Sequence, residues 1–310
     1  MKFSRRHFLT AAGAAALSAG LPARVWSLAT LESGAVRIDS LSDGHLTLPG
    51  SFIFGPAPQA ELEALLKAHG MPGIPDTITP PCNVTLLRDG ARTVLFDTGS
   101  GSGFQNTAGE LPDALDEVGV APEDVTHVVF THGHPDHLWG VIDDLDEPTF
   151  YEAEHLMNRT EFDYWSDPET VNRIGEARAS FAAGALRRLQ TMGADAFTLF
   201  EGETEVLPGV LAIPTHGHSP GHTSFAIATD GGQILVTGDA ITNSHMAFER
   251  PEWHSGSDQD LEAGAATRVR LLDRIVAEDM TLIGYHIEHP GIGRAERTGK
   301  NRYRFVPLGG

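Results

Sequence analysis

Residues 125–137 read VTHVVFTHGHPDH, an apolar, β-branched run that passes directly into a cluster of metal-binding side chains. The apolar part predicts a buried strand, because short apolar runs bounded by polar residues are typical of strands covered on both faces. After it come His132, His134, Asp136 and His137. Packing does not explain four residues of ligand type within six positions. We therefore expect a metal site at the end of a buried strand.

The spacing within this motif divides it between two ions. His132 and His134 lie two residues apart, and such residues point to the same side of an extended backbone, so they can hold one cation together. Asp136 and His137 follow Pro135, which fixes a turn, so they can face a neighbouring site. Imidazole and carboxylate ligands without a thiolate suit zinc, with manganese, cobalt or iron as alternatives.

Other segments place this motif in a layered protein. Strands are predicted over 93–99, 125–132, 233–239 and 281–286, and helices over 60–69, 113–118, 169–192 and 261–278. Strands followed by helices in both halves predict an α/β fold with its chemistry at the carboxyl ends of the strands. A chain of 310 residues, 41% of them hydrophobic, can form one large domain, and no low-complexity linker divides it.

The H-x-H-x-D-H pattern at 132–137 resembles the metallo-β-lactamase superfamily. This resemblance implies that residues 30–310 form an αββα sandwich with a metal centre at one edge. It also implies three further ligands: His222, Asp239 and His286. His222 would join the first two histidines on one ion, Asp239 would bridge both ions, and His286 would complete the second.

Several polar and aromatic residues near these motifs have other expected roles. His216 and His218 also stand in the THGHSPGHT stretch of residues 215–223, and we expect a supporting or surface role for each rather than ligation. Asp97, in a Phe-Asp-Thr-Gly turn, is expected to orient the ligand loops, because metal-bound imidazoles need a partner at their other nitrogen. Phe104 and Trp165 are candidate pocket residues, with core packing as the alternative.

The carboxyl end narrows the resemblance to the methyl parathion hydrolase branch. Residues 286–293 read HIEHPGIG and residues 303–307 read YRFVP. Glu288 and His289 stand where that branch tends to be apolar or aromatic, which predicts a more polar pocket and a different substrate.

The resemblance implies a binuclear hydrolase in which a metal-bound hydroxide attacks a small ester-like substrate: a lactone, an aryl ester or an organophosphate triester. Asp136 would bind metal and also carry a proton to the leaving group. A β-lactam or thioester hydrolase is the alternative on the same metals. The alternatives of another class are a noncatalytic metal-binding protein and a di-iron redox protein, although the latter tends to carry a carboxylate where His134 stands.

Composition limits the partners. The chain has 22 Lys+Arg against 42 Asp+Glu, a net charge of -20, which repels nucleic acid and anionic membrane surfaces. The single Cys82 excludes an internal disulfide and is predicted to be a buried residue in a turn. A small-molecule substrate is the expected partner, and the family resemblance leaves room for a homodimer.

The amino terminus predicts export. Residues 4–9 read SRRHFL and precede a short alanine-rich run, which resembles a twin-arginine signal peptide over residues 1–29, with cleavage after Ala29 or Ala23. The run is too short and too weakly apolar for stable membrane insertion. The expected location is periplasmic or secreted, and an amphipathic amino-terminal helix is the alternative.

Overall fold

The computed structural model describes residues 29–308. The predicted signal peptide lies outside this range except for Ala29, which begins the first strand, and it stays a prediction. Within the described range, no helix combines the length and the apolar character needed to cross a bilayer.

The amino-terminal half forms the first sheet. Its strands are β1 (Ala29–Ser33), β2 (Val36–His45), β3 (Leu48–Pro49), β4 (Thr77–Ile78), β5 (Pro81–Arg88), β6 (Thr93–Phe96), β7 (His127–Val129), β8 (Glu154–Asn158) and β9 (Phe197–Phe200). Seven of them pair in the order β1-β2-β5-β6-β7-β8-β9, and β3 pairs with β4 separately. The strands from β6 to β9 run parallel, so their carboxyl ends meet at one edge.

The carboxyl-terminal half forms the second sheet. Its strands are β10 (Thr204–Leu207), β11 (Val210–Pro214), β12 (Thr223–Thr229), β13 (Gly232–Val236), β14 (Thr281–Ile283), β15 (Ile292–Gly299) and β16 (Arg302–Pro307). They pair in sequence order. Only β13 and β14 are parallel neighbours, because a helical segment connects them.

Helices cover the sheets. They are α1 (Gly50–Phe54), α2 (Gln59–Ala68), α3 (Leu111–Glu117), α4 (Pro135–Leu138), α5 (Arg159–Ser166), α6 (Thr170–Arg173), α7 (Ala179–Met192), α8 (Met246–Glu249) and α9 (Leu261–Ala277). Short 3-10 helices lie at Gly101–Gly103, Pro122–Asp124, Trp139–Val141, Glu176–Arg178, Ala194–Ala196 and Gly238–Ala240. The single helix predicted over 169–192 is interrupted, because Gly175 has a φ of 91°, a conformation that only glycine adopts readily.

The two sheets face each other across an apolar layer. Ile38, Phe96 and Val129 of the first sheet pack there against Phe225 and Val236 of the second. Helices α3, α5 and α7 cover the outer face of the first sheet, and α8 and α9 cover that of the second. The predicted αββα sandwich is therefore confirmed.

Removal of one ring from the layer between the sheets tests this packing. Phe225 is fully buried, and its ring centroid lies 5.5 Å from that of Phe96 in the opposite sheet. Phe225→Ala should lower the free energy of unfolding by about 3 to 5 kcal/mol, through lost burial and a residual cavity. Leu145→Ala is the control, since Leu145 is 81% exposed. Equal urea midpoints for the two variants would contradict the assigned core.

Candidate metal centre

Four buried side chains converge on a first point between the sheets. They are His132 and His134 from the loop after β7, His218 from the loop after β11, and Asp239 from the turn after β13. His134 Nδ1 lies 2.9 Å from His132 Nε2 and 2.8 Å from His218 Nε2. Asp239 Oδ2 lies 3.3 Å from His218 Nε2. Three imidazole nitrogens and one carboxylate oxygen form a ligand set of the kind that zinc prefers.

A second group adjoins the first and shares Asp239. His137 Nε2 lies 3.3 Å from Asp239 Oδ1 and 3.4 Å from Asp136 Oδ2. His286, which follows β14, places Nε2 3.2 Å from both Asp136 Oδ2 and Asp239 Oδ2. The ligand atoms of His137, Asp239 and His286 lie within 4.8 Å of one another, and Asp136 Oδ2 lies beside two of them.

Unpaired polar atoms show that the second group fits a metal ion. Asp136 Oδ2, His137 Nε2 and Asp239 Oδ1 are buried and have no hydrogen-bond partner among residues 29–308. A buried polar atom without a partner costs about 1 to 3 kcal/mol. All three atoms face the centre of the second group, where a divalent cation would satisfy them together.

The structure corrects the predicted ligand set at His222. Its Nε2 accepts a hydrogen bond from the backbone N–H of Asp239 at 2.9 Å, and its Nδ1 pairs with Thr215 Oγ1 at 2.8 Å. Both ring nitrogens are therefore occupied, and neither is free to bind metal. His222 instead fixes the backbone of the shared carboxylate.

His218 occupies the position that was predicted for His222. The expected supporting role of His218 is therefore wrong as well, whereas His216 is exposed and lies outside both groups. The motif offers three histidines at close spacing, and only the path of its loop decides which ring turns inward.

The non-ligating nitrogens of several of these rings have oxygen partners. Asp97 Oδ2 lies 2.7 Å from His137 Nδ1, and Asp97 Oδ1 accepts the backbone N–H of Thr131 at 2.7 Å. The Pro81 carbonyl lies 2.8 Å from His286 Nδ1. Such partners fix the orientation of an imidazole and increase its basicity. Asp97 adopts a φ of 69°, unusual for a residue with a side chain, at the turn that brings it under the ligands.

Asp258 is a carboxylate beside the ligands that was not predicted from the sequence. Asp258 Oδ1 lies 3.7 Å from His218 Nδ1, and Asp258 Oδ2 accepts a hydrogen bond from Arg268 Nη1 at 3.1 Å. Arg268 is buried and also donates to the carbonyls of Pro251 and Trp253. No local pattern marks Asp258, because it reaches His218 from a separate segment of the chain.

The two groups differ in how their surroundings affect protonation. Burial, followed by the neighbouring His137 and His134, lowers the pKa of His132 well below its usual value, so its ring stays neutral and can act as a ligand. Burial alone would also lower the pKa of His137. Asp239, Asp136 and Asp97 outweigh burial and raise that pKa well above its usual value. The second group therefore attracts positive charge strongly.

Cys82 lies beside the second group, on β5. Its Sγ is within 4.8 Å of a ligand atom of both Asp136 and His286. Burial raises the pKa of the thiol to about 12. The thiol is thus a neighbour of the second group that also hydrogen-bonds with His286. Its burial is as predicted, although it lies in a strand and not in a turn.

A cavity of about 510 Å³ lies over the ligands. Its base includes His134, Asp136, His218, Asp239 and His286. Phe104 is part of its wall. Trp165 is not, since it is fully buried and packs against the ring of His134 at 5.5 Å between centroids. Of the two predicted pocket residues, the structure thus places only Phe104 at the cavity.

The family model for the metallo-beta-lactamase superfamily matches residues 78–286, which contain every ligand position described above. The chain belongs to the metallo-beta-lactamase superfamily. Among curated members, it is similar to the N-acyl homoserine lactonase AiiA of Bacillus thuringiensis subsp. kurstaki, with 28% identity over 187 residues. That match covers 57% of this chain and 62% of AiiA, so the chain spans about three fifths of the relative's length.

Two solved structures share the fold over nearly the whole chain. The dizinc quorum-quenching lactonase AidC superposes with a TM-score of 0.84 at 20% identity, covering 92% of this chain and 98% of AidC. The hydrolase AbOPH superposes with a TM-score of 0.82 at 24% identity, and the match covers 92% of this chain and 99% of AbOPH. At these identities the similarity establishes the fold alone.

Separate replacement of His218 and His222 by alanine tests the corrected ligand set. His218→Ala removes an imidazole that faces the first ion, so the purified variant should retain one ion fewer per chain than the wild type. His222→Ala removes a hydrogen bond to the Asp239 backbone and should keep the wild-type number in excess metal. Elemental analysis after gel filtration measures both. The reverse result would restore His222 as the ligand.

Proposed function

We propose that this chain is a binuclear metal hydrolase that opens a lactone, or a similar neutral ester, carrying an apolar group. We propose zinc for both ions, because the ligand atoms are imidazole nitrogens and carboxylate oxygens in a compact set. The observation that carries the proposal is the cavity, which combines ligand side chains at its base with apolar walls.

Part of the apolar wall comes from a segment of the chain that the superfamily match does not include. Leu46, Leu48, Phe52, Ile53 and Phe54 line the cavity and precede residue 78. The ligands, in contrast, all lie within the matched region. The metal chemistry is thus common to the superfamily, and we assign the choice of substrate to this amino-terminal wall.

The apolar wall favours a neutral substrate. An anionic β-lactam or a glutathione thioester would bring a carboxylate into the cavity, and burial of an unpaired charge is costly. Arg178 also lines the cavity; its guanidinium lies 5.4 Å from the centroid of the Phe52 ring, and its Nη2 donates to the carbonyls of Gly256 and Ser257. A lactone with an apolar tail avoids this cost.

The chain's own residues position the reactants. Divalent ions held at this centre would polarise a substrate carbonyl and would activate water as a nucleophile near neutral pH. Asp136 lies at the base of the cavity, so the carboxylate oxygen that does not bind the ion could accept a proton there and return it to the departing alkoxide. The Tyr285 hydroxyl donates to the Asp136 carbonyl and holds this residue in place.

The relatives support the same reaction class. AiiA is named an N-acyl homoserine lactonase, and AidC is described as a dizinc lactonase in complex with N-hexanoyl-L-homoserine as product. AbOPH is described only as a hydrolase of this superfamily. A lactone is therefore the first substrate to test, and a phosphotriester stays in the comparison.

Initial rates on five substrates test the proposal: an acyl lactone, an aryl ester, a phosphotriester, a β-lactam and a glutathione thioester. The metal-loaded protein should act fastest on the lactone, and lactones with longer apolar tails should have lower KM. Asp136→Ala should reduce kcat by about 100-fold or more, because a ligand and proton carrier is lost. Asp113→Ala, which removes an exposed carboxylate on α3, is the control.

Background rates on all five substrates with both ions bound would overturn the hydrolase assignment. A β-lactam or thioester turned over faster than the lactone would favour the alternative reaction. Unchanged turnover in Asp136→Ala would remove Asp136 from the mechanism.

A further inference from the structure

A buried carboxylate lies between the two loops that supply the first ion's histidines. Glu161 is the third residue of α5 and is fully buried. Its Oε1 accepts the backbone N–H of Gly133 at 2.9 Å and the indole N–H of Trp165 at 2.5 Å. Its Oε2 accepts the backbone N–H of Gly221 at 2.7 Å. Both oxygens are therefore used, each on a different loop.

The two backbone amides belong to the ligand loops. Gly133 stands between His132 and His134, in the loop that follows the first sheet's β7. Gly221 lies three residues after His218, in the loop between β11 and β12 of the second sheet. One carboxylate thus joins a loop of the first sheet to a loop of the second. The same two loops carry His134 and His218, whose Nδ1 and Nε2 atoms lie 2.8 Å apart.

The close packing around Glu161 leaves these loops no room to shift toward α5. A Cβ atom added at Gly221 would lie 2.2 Å from the backbone nitrogen of Glu161. A Cβ atom added at Gly133 would lie 2.4 Å from the Trp165 ring. Trp165 in turn packs edge-on against the His134 ring. The carboxylate and the indole therefore act together on the position of His134.

The charge of Glu161 has no local partner. No lysine or arginine within residues 29–308 forms an ion pair with it, and its partners are neutral donors: the N–H groups of Gly133, Gly221 and Trp165, and the Ser219 hydroxyl. Burial of a carboxylate without a cation is costly, and a cation shared by His134 and His218 would offset part of that cost. Any such coupling is reciprocal, so the carboxylate would strengthen metal binding equally.

We infer that Glu161 is a positioning residue for the first metal ion: it fixes the separation of His134 and His218 by holding the amides of Gly133 and Gly221. It thereby sets the affinity and coordination geometry of the ion that the two histidines share. This inference rests on the metal centre of the proposed function. It assigns Glu161 no contact with substrate.

The test uses Glu161→Gln, which keeps the shape of the side chain but replaces one acceptor oxygen with a donor. Glu154→Gln is the matched control, since Glu154 is an exposed glutamate on the neighbouring β8. Each protein is stripped of metal and titrated with zinc against a chelator. A second sample is loaded with cobalt(II), and its visible absorption is recorded. The melting temperature is measured with and without metal.

In Glu161→Gln, one of the two ions should bind about 10- to 100-fold more weakly, as found for other residues that orient metal ligands. Its cobalt absorption should change in intensity, and saturating metal should raise the melting temperature less than in the wild type. Glu154→Gln should match the wild type in all three measurements.

Unchanged affinities and an unchanged cobalt spectrum would overturn the inference even if the metal-free protein melts earlier, because that combination indicates a structural role only. If Glu161→Gln does not fold, Glu161→Asp provides the same test. Its shorter side chain cannot hold both amides at once, and wild-type affinities in that variant would also overturn the inference. Failure of the wild type to bind two ions would instead reject the proposed function.

Discussion

Asp239 stands between two groups of imidazoles and presents an oxygen to each. Its Oδ2 lies 3.3 Å from His218 Nε2 and 3.2 Å from His286 Nε2. Its Oδ1 lies 3.3 Å from His137 Nε2. Burial alone would raise the pKa of this carboxyl group, but His286, His137 and His218 hold it well below its usual value. The carboxylate is therefore ionised, largely buried and dependent on positive charge.

The sandwich can hold these buried polar side chains in fixed positions because each ligand lies just beyond the end of a strand. The turns after β7, β11, β13 and β14 reach the same edge, and the strands behind them are anchored in apolar layers. Hydrogen bonds then fix the turns themselves: Asp97 holds Thr131, His222 holds Asp239, and Glu161 holds Gly133. A rigid edge places polar atoms where only a cation satisfies them all.

The H-x-H-x-D-H cluster could be predicted from sequence because its geometry is local. Extended backbone puts His132 and His134 on one side, and the turn at Pro135 redirects the next two ligands. The sandwich, Asp239 and His286 were accessible only through the family resemblance, since no spacing relates them to the motif.

The predictions that were wrong share one cause: the residues adjacent in sequence do not determine the direction in which a side-chain ring points. His218 and His222 are equally ligand-like in sequence, and the Asp239 amide decides between them by occupying His222. Trp165 looked like a pocket residue, but the Glu161 carboxylate draws its indole into the interior. Asp258 reaches the centre from a distant segment, so it left no local pattern.

Two neighbouring cations that share the Asp239 carboxylate would satisfy both groups of ligands. Anomalous diffraction at the zinc edge, from crystals of protein purified without chelators, would detect such a pair. We expect two peaks on either side of Asp239, one beside His132, His134 and His218, the other beside Asp136, His137 and His286. A single peak, or none, would show that the two groups do not hold a pair of ions.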